Sequence, residues 1–297
     1  MSIFSIFEAL PLPATTIDIV DIGARFIGDE RYAPIRDHGA ARIVGFEPDD
    51  EQLEILKKKF PDQIFLPYFV ADGGERDFYI CHYGGCSSLY EPDPEIIDNF
   101  TGISTSQGSN FEVVETVKVA TKRLDDITEI SGCDYLKIDV QGAELDVLKG
   151  AKERLKECLV VELEVEFVPI YKNQPLFAEI DLFLRQAGFY LHRLMDVSGR
   201  AYRPFLASGN ISKPVSQLLW ADAVFIRRFT DFGDLAPEQH LKMAALTHEL
   251  YGSVDLSARA LAHYDARANS SLQDLYLKEI NDKDVELSFH NVKDWSD

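Results

Sequence analysis

Apolar and polar residues follow two different rhythms along the first two-thirds of this 297-residue chain. Short β-branched runs at 16–22 (TIDIVDI), 42–46 (RIVGF), 64–70 (IFLPYFV), 134–140 (DYLKIDV) and 159–165 (LVVELEV) have the length and composition of strands. Helical spacing fills the gaps between them. The stretch 49–60 is stopped by Pro61, the run after residue 140 carries Val147, Leu148, Ala151 and Leu155 on one face, and 177–187 ends at Gly188. Strands alternating with helices predict an α/β three-layer sandwich, a mostly parallel sheet covered on both faces. Two later strands, 189–195 and 221–227, have little helix between them and predict an antiparallel edge.

The stretch 72–123 breaks this rhythm. Gly84–Gly85 and 101–110 read as loops and 113–120 as an edge strand, an insertion where a substrate lid is expected. After residue 231 the spacing turns helical. Pro237 suits a first turn, and stripes follow at Met243, Leu246 and Leu250, then at Leu256, Ala260, Leu261 and Tyr264, then at Leu272, Leu275, Tyr276 and Ile280. Residues 285–297 lose that spacing. The expected division is therefore an N-terminal helical extension (1–15), an α/β domain (16–230) and a helical C-terminal appendage (231–297). Residues 2–10 are expected to form a short helix packed on the body or on a second subunit. The tail is the expected surface for homo-oligomer contacts or docking.

Charge narrows the partners. With 50 acidic against 30 basic residues, the net charge of −20 argues against a phosphate-backbone ligand or an anionic membrane. A polar or neutral small molecule fits better. Four cysteines match neither a disulfide framework nor a zinc pattern, and read as reduced thiols of a cytoplasmic protein. No apolar run reaches membrane-spanning length, and the opening residues make a poor signal peptide.

Candidate chemistry gathers where strands end. DIGARFIG over 21–28 follows the first strand, and Gly23 lets the backbone turn tightly beside a ligand. The spacing is neither a dinucleotide fingerprint nor a phosphate-binding loop. Asp21 stands where a carboxylate can hold an amino group. Glu47, ending the second strand, can accept hydrogen bonds from both hydroxyls of a ribose, although a helix-start charge beside Pro48 also explains it. Acids at both places without a pyrophosphate loop favour S-adenosylmethionine over a nicotinamide cofactor. Asp139, at the end of the fourth strand, is the first candidate for a base or an acceptor-positioning group. Glu144, on the next helical turn, is the second, with favourable charge at a helix N-terminus as its alternative role. Lys137 reads as structural. Glu162 and Glu164 alternate on a central strand, where one of them is expected to face a substrate pocket. His82, in CHYGGCSS, is the histidine nearest these loops, with a solvated side chain as its plainer role.

In chain order, DIGA (21–24), FEP (46–48), GCSSL (85–89), RLDD (123–126) and KIDVQGAE (137–144) resemble the motifs of the FkbM family of methyltransferases. That family's pattern opens Asp-Val-Gly-Ala-Asn-x-Gly and closes Lys-Ile-Asp-Val-Glu-Gly-x-Glu. The resemblance covers residues 16–195. It implies a class I methyltransferase fold, Rossmann-like, with S-adenosylmethionine as cofactor and a hydroxyl of a sugar, glycan or small metabolite as acceptor. The expected cofactor-binding set is Asp21, Gly23, Ala24, Arg25, Glu47, Pro48, Ala71, Asp72, Ser88 and Asp139. His82, Ser87, Gln141 and Glu164 are expected on the substrate side. Asp139 with a later acid is the alternative, a metal site, but no histidine–carboxylate cluster supports one, so transfer is expected to be metal-independent. Three departures stand out: Arg25 in place of asparagine, the second glycine one place late at Gly28, and Gln141 in place of glutamate. Arg25 and Gln141 favour a second reading, a catalytically silent cofactor-binding or scaffold protein on the same fold.

Overall fold

The computed structural model describes residues 4–26, 28 and 30–282. They fall into two compact units, one built from Ile17–Asp29 and Ala41–Thr230, the other from Met1–Thr16, Glu30–Ala40 and Asp231–Asp297.

Among the described residues the first unit holds ten strands: β1 (Ile17–Ile22), β2 (Ala41–Phe46), β3 (Ile64–Leu66), β4 (Phe69–Val70), β5 (Gly74–Cys81), β6 (Val113–Lys122), β7 (Tyr135–Ile138), β8 (Val160–Glu166), β9 (Phe189–Arg200) and β10 (Gln217–Arg227). Seven of them form one sheet in the order β3-β2-β1-β7-β8-β10-β9. Neighbours from β3 to β8 pair in parallel, while β10 pairs antiparallel with both β8 and β9. The strand that runs against the rest therefore lies one place in from the edge. β1 and β7 are buried along almost their whole length, as central parallel strands covered on both faces must be. Val20, Ile22, Val44, Leu136, Ile138, Val161 and Leu163 supply one side of the main core, packed against Val147, Leu148, Ile180 and Leu184 from the covering helices.

Two predicted strands came out differently. The run 64–70 splits, because Pro67 has no N–H to carry the ladder onward. Ile64–Leu66 stays in the main sheet and Phe69–Val70 joins a second sheet in the order β4-β6-β5. The stretch 113–120, expected at an edge, is the centre of that second sheet, with β5 antiparallel along it. β5 itself lay in the stretch read as an irregular insertion. The helix Asp50–Lys59 starts at Asp49, whose carboxylate accepts the backbone N–H groups of Glu51 (3.0 Å) and Gln52 (3.1 Å).

The second unit is helical, with long helices at Pro237–Tyr251, Val254–Ala268 and Leu272–Asn281 and short ones at Ile6–Ala9 and Ala33–Asp37. Its interior carries a polar relay. His248 is fully buried, its Nε2 lies 2.8 Å from the Phe4 carbonyl and its Nδ1 lies 2.7 Å from the Tyr276 hydroxyl. A carbonyl only accepts, so Nε2 carries the proton and Nδ1 accepts from Tyr276. Burial holds the imidazole below its usual pKa and keeps it neutral. Glu249 accepts the Ile6 N–H at 2.6 Å, a second tie to the N-terminal segment. Residues 285–297, read as lacking helical spacing, lie outside the described residues. The four cysteines are buried free thiols.

Replacing Tyr276 by phenylalanine strips His248 Nδ1 of its donor. That change should cost about 1–2 kcal/mol and lower the thermal midpoint by a few degrees in calorimetry. An unchanged midpoint would mean that the relay is not holding the helices.

Candidate active site

Parallel strands deliver their carboxyl ends to a single edge, and β1 organises that edge. The N–H groups of Gly23 and Ala24 both reach the Phe46 carbonyl at 3.0 Å, on the β2 side. On the β7 side the Asp139 N–H donates to the Ile22 carbonyl at 2.8 Å. Gly23 turns with φ +84°, and a Cβ there would lie 1.9 Å from the Asp139 carbonyl oxygen, so no other residue fits. Glu47 and Asp139 thus flank β1 at the same end of the sheet.

Glu47 is 5% exposed. Its Oε1 accepts the Asp49 N–H at 2.8 Å, while its Oε2 accepts no hydrogen bond among the described residues. Burial raises its pKa, opposed by the Asp49 N–H and the charge of Arg25. Arg25 extends over Gly84, where a Cβ would meet its Nη1 at 2.8 Å, and so links the first turn to the insertion.

Beyond Asp139 the chain makes a tight reversal. Gln141 takes φ +57°, a left-handed conformation that side-chain-bearing residues rarely adopt, and Gly142 follows at +95°. The Gln141 amide donates to Asp139 Oδ1 at 2.7 Å and to Glu164 Oε2 at 3.0 Å. Glu144 accepts the N–H groups of Val140 and Gly142, each at 3.1 Å, through one oxygen. Its other oxygen is buried without a hydrogen-bond partner among the described residues. The carboxylate therefore braces the turn, and burial together with the Asp139 charge pushes its pKa up to about 7. Glu164 and Glu166 are also raised well above the usual range, by burial first and then by neighbouring carboxylates.

Not every expected site residue meets at this edge. Asp21 is fully buried and paired at 3.3 Å with Lys137, the residue read as structural, so it already holds an amino group from within the chain. Ala24 is buried against Leu53, Leu56 and Phe65. Pro48 follows Glu47 at the edge, half-buried. Ala71 and Asp72 follow β4 in the second sheet, because the third strand of the main sheet stops at Leu66. Their contacts run to Lys122, Gly150 and Arg76. Ser87 Oγ accepts the Cys81 N–H, which closes its own loop. Ser88 is fully buried and donates to the Gln141 carbonyl at 2.6 Å, so it acts on the pocket by pinning that turn. His82 is exposed, its N–H bonded to the Glu112 carbonyl. Glu162 accepts the Tyr135 hydroxyl at 3.0 Å.

Sequence reasoning missed Glu166, Gln174 and Asp146. The alternation Glu162–Glu164–Glu166 carried the signal for the first, but the strand was ended one residue early, at Val165. Gln174 accepts the Tyr171 N–H at 3.1 Å and leans on the turn at Gly142. Asp146 gathers Arg76 (3.3 Å), the Tyr90 hydroxyl (2.7 Å) and Lys149 (3.1 Å), tying β5 and the insertion to the helix that carries Glu144. Only the folded topology brings these together.

A sheet in the order β3-β2-β1-β7-β8-β10-β9, with acids at the carboxyl ends on either side of β1, is the framework of a class I methyltransferase. More narrowly, the chain belongs to the FkbM methyltransferase family, whose domain model matches residues 21–191. The 2-O-methyltransferase NoeI of Sinorhizobium fredii (strain NBRC 101917 / NGR234) is 29% identical over 173 residues, covering 55% of this chain and 70% of that protein. Among solved structures, a TehB-like SAM-dependent methyltransferase from Corynebacterium glutamicum is 12% identical, covers 75% of this chain and 85% of its own, and has a TM-score of 0.33. The precorrin-6y C5,15-methyltransferase of Geobacter metallireducens gives 12%, the same coverage and a TM-score of 0.35. No helix among the described residues is long and apolar enough to cross a membrane.

The raised Glu144 pKa has a sign that can be measured. Below pH 4.5 the group is protonated in both folded and unfolded chains; from 4.5 to about 7 only the folded chain keeps the proton. Its contribution to stability is thus complete below 4.5 and is lost as pH rises through 7, a decline on the order of 3 kcal/mol. Denaturant titrations from pH 4.5 to 8 should show a shallower decline in Glu144→Gln than in the wild type. Equal slopes would assign the titration to other carboxyls.

Proposed function

We propose that the chain is an S-adenosylmethionine-dependent O-methyltransferase acting on a hydroxyl of a sugar, glycan or similar small metabolite. The observation that carries this reading is the placement of Glu47 and Asp139 on either side of β1, each with one oxygen uncommitted. The residues suit the cofactor. Glu47 Oε2 accepts no hydrogen bond among the described residues, and vicinal ribose hydroxyls supply two donors. Gly23 keeps the turn beside it free of side chain. When bound, S-adenosylmethionine supplies a methyl group already activated on a sulfonium.

The chain's own work is to align and deprotonate the alcohol. Asp139 Oδ2 receives the acceptor hydroxyl and takes its proton as the oxygen becomes an ether, while Oδ1 stays anchored by Gln141. Glu144 holds the turn through the backbone and does not touch the acceptor. Ser88 fixes the same turn from the insertion side. The sugar-directed part of the reading is supported by the activity that the name of the Sinorhizobium relative prints, a 2-O-methyltransferase. The Gln141 amide, lodged between two carboxylates, is the feature that favours the silent-scaffold alternative.

Titration with S-adenosylmethionine should saturate in the micromolar range, and Glu47→Ala should weaken binding by at least about tenfold. Asp139→Asn should keep that affinity while methyl transfer to a panel of sugars and glycans, followed by mass spectrometry, falls about 100-fold or more. No cofactor binding would end the proposal. An unchanged rate in Asp139→Asn would remove that residue from the mechanism, and binding with no transfer to any acceptor would support the scaffold.

A further inference from the structure

Arg25 carries a charge that the chain leaves unspent. The residue is half-buried at the first turn, two places after Gly23, and among the described residues it donates no hydrogen bond and forms no ion pair. Its guanidinium reaches over the turn Gly84–Cys86, with Nη1 and Nη2 lying 2.8 and 3.2 Å from where a Cβ of Gly84 would stand. Glycine there makes the room that the guanidinium occupies. The turn beneath is firmly held. The Cys86 N–H donates to the Tyr83 carbonyl at 2.8 Å, the Ser87 N–H to the Gly84 carbonyl at 3.1 Å, and the Cys81 N–H to Ser87 Oγ at 3.0 Å. The guanidinium therefore rests on fixed backbone, near enough to the ligand edge for Glu47 to feel its charge. Other cations of this edge are committed, Lys137 to Asp21 and Arg76 to Asp72 and Asp146.

A partly buried cation without an acceptor forgoes hydration that nothing in the chain replaces. The planar fork of N–H donors on a guanidinium matches a carboxylate better than it matches any neutral group. S-adenosylmethionine has one carboxylate, on the amino-acid arm that leaves the sulfur away from the ribose. We infer that Arg25 receives this carboxylate. The two ends of the cofactor are then held by side chains of opposite character, Glu47 accepting from neutral hydroxyls and Arg25 donating to an anion. Arginine stands where the family pattern has asparagine, a neutral amide, so the charged grip is this chain's own. The inference rests on the methyltransferase reading, since it takes S-adenosylmethionine as the ligand of this edge.

The test is calorimetric titration of the full chain with S-adenosylhomocysteine and with its decarboxylated analogue, in which hydrogen replaces the carboxylate. Salt at about 0.15 M screens the overall charge of the chain. S-adenosylhomocysteine should bind at least about tenfold tighter than the analogue. Arg25→Gln should weaken S-adenosylhomocysteine at least about tenfold while keeping the analogue within about threefold of its wild-type affinity, which also shows that the variant folds. Equal wild-type affinities for the two compounds, a preference that survives Arg25→Gln, or an equal loss for both would each overturn the inference. The wild-type titrations separate the failures. S-adenosylhomocysteine bound without preference sinks this inference alone, and no binding of either compound sinks the methyltransferase reading with it.

Discussion

The close approach of Gly23 to the Asp139 carbonyl is the constraint around which the site is assembled. It exists because β1 is flanked in parallel by β2 and β7, so that three strands end level with one another. Two backbone bonds, from Gly23 to Phe46 and from Asp139 to Ile22, then extend the pairing past the strands themselves. The carboxylates of Glu47 and Asp139 are thereby set by main-chain geometry instead of by flexible loops. Positions fixed this way are reproducible at the tolerance that displacement chemistry needs.

The same geometry brings an electrostatic cost. Asp139, Glu144, Glu164 and Glu166 crowd one end of the sheet, and burial lifts the last three above the normal carboxyl range. The chain tolerates this through neutral donors: two backbone N–H groups on Glu144 and the Gln141 amide on Asp139 and Glu164. Gln141 makes its contribution from a strained left-handed backbone. Strain and uncompensated burial in one place are the usual mark of a surface built for a ligand and not for stability.

Much of this was legible in the residues. The strands at β1, β2, β7 and β8, the helix after Asp49 and the three helical stripes of the tail follow from periodicity and from caps, which are local properties. Glycine at position 23 and the acids that end their strands could be read for the same reason. The second sheet could not. β5 (GERDFYIC) shows no clean alternation because it is half-buried along most of its length, and Pro67 breaks a run that is apolar throughout. Ala71 and Asp72 follow β4 in that second sheet for the same reason. Asp146, Gln174 and the Asp21–Lys137 pair depend on contacts between residues distant along the chain. Nothing in their own neighbourhood announces them.

The bond from Ser88 to the Gln141 carbonyl, with Arg76 and Tyr90 both meeting Asp146, changes how the 72–123 excursion should be regarded. It is no detachable cap. Anyone hoping to swap it for a relative's counterpart would also be exchanging the clamp that shapes the turn after β7. A successful graft must therefore transplant the hydroxyl, the guanidinium and the phenol together with the loop they stand on.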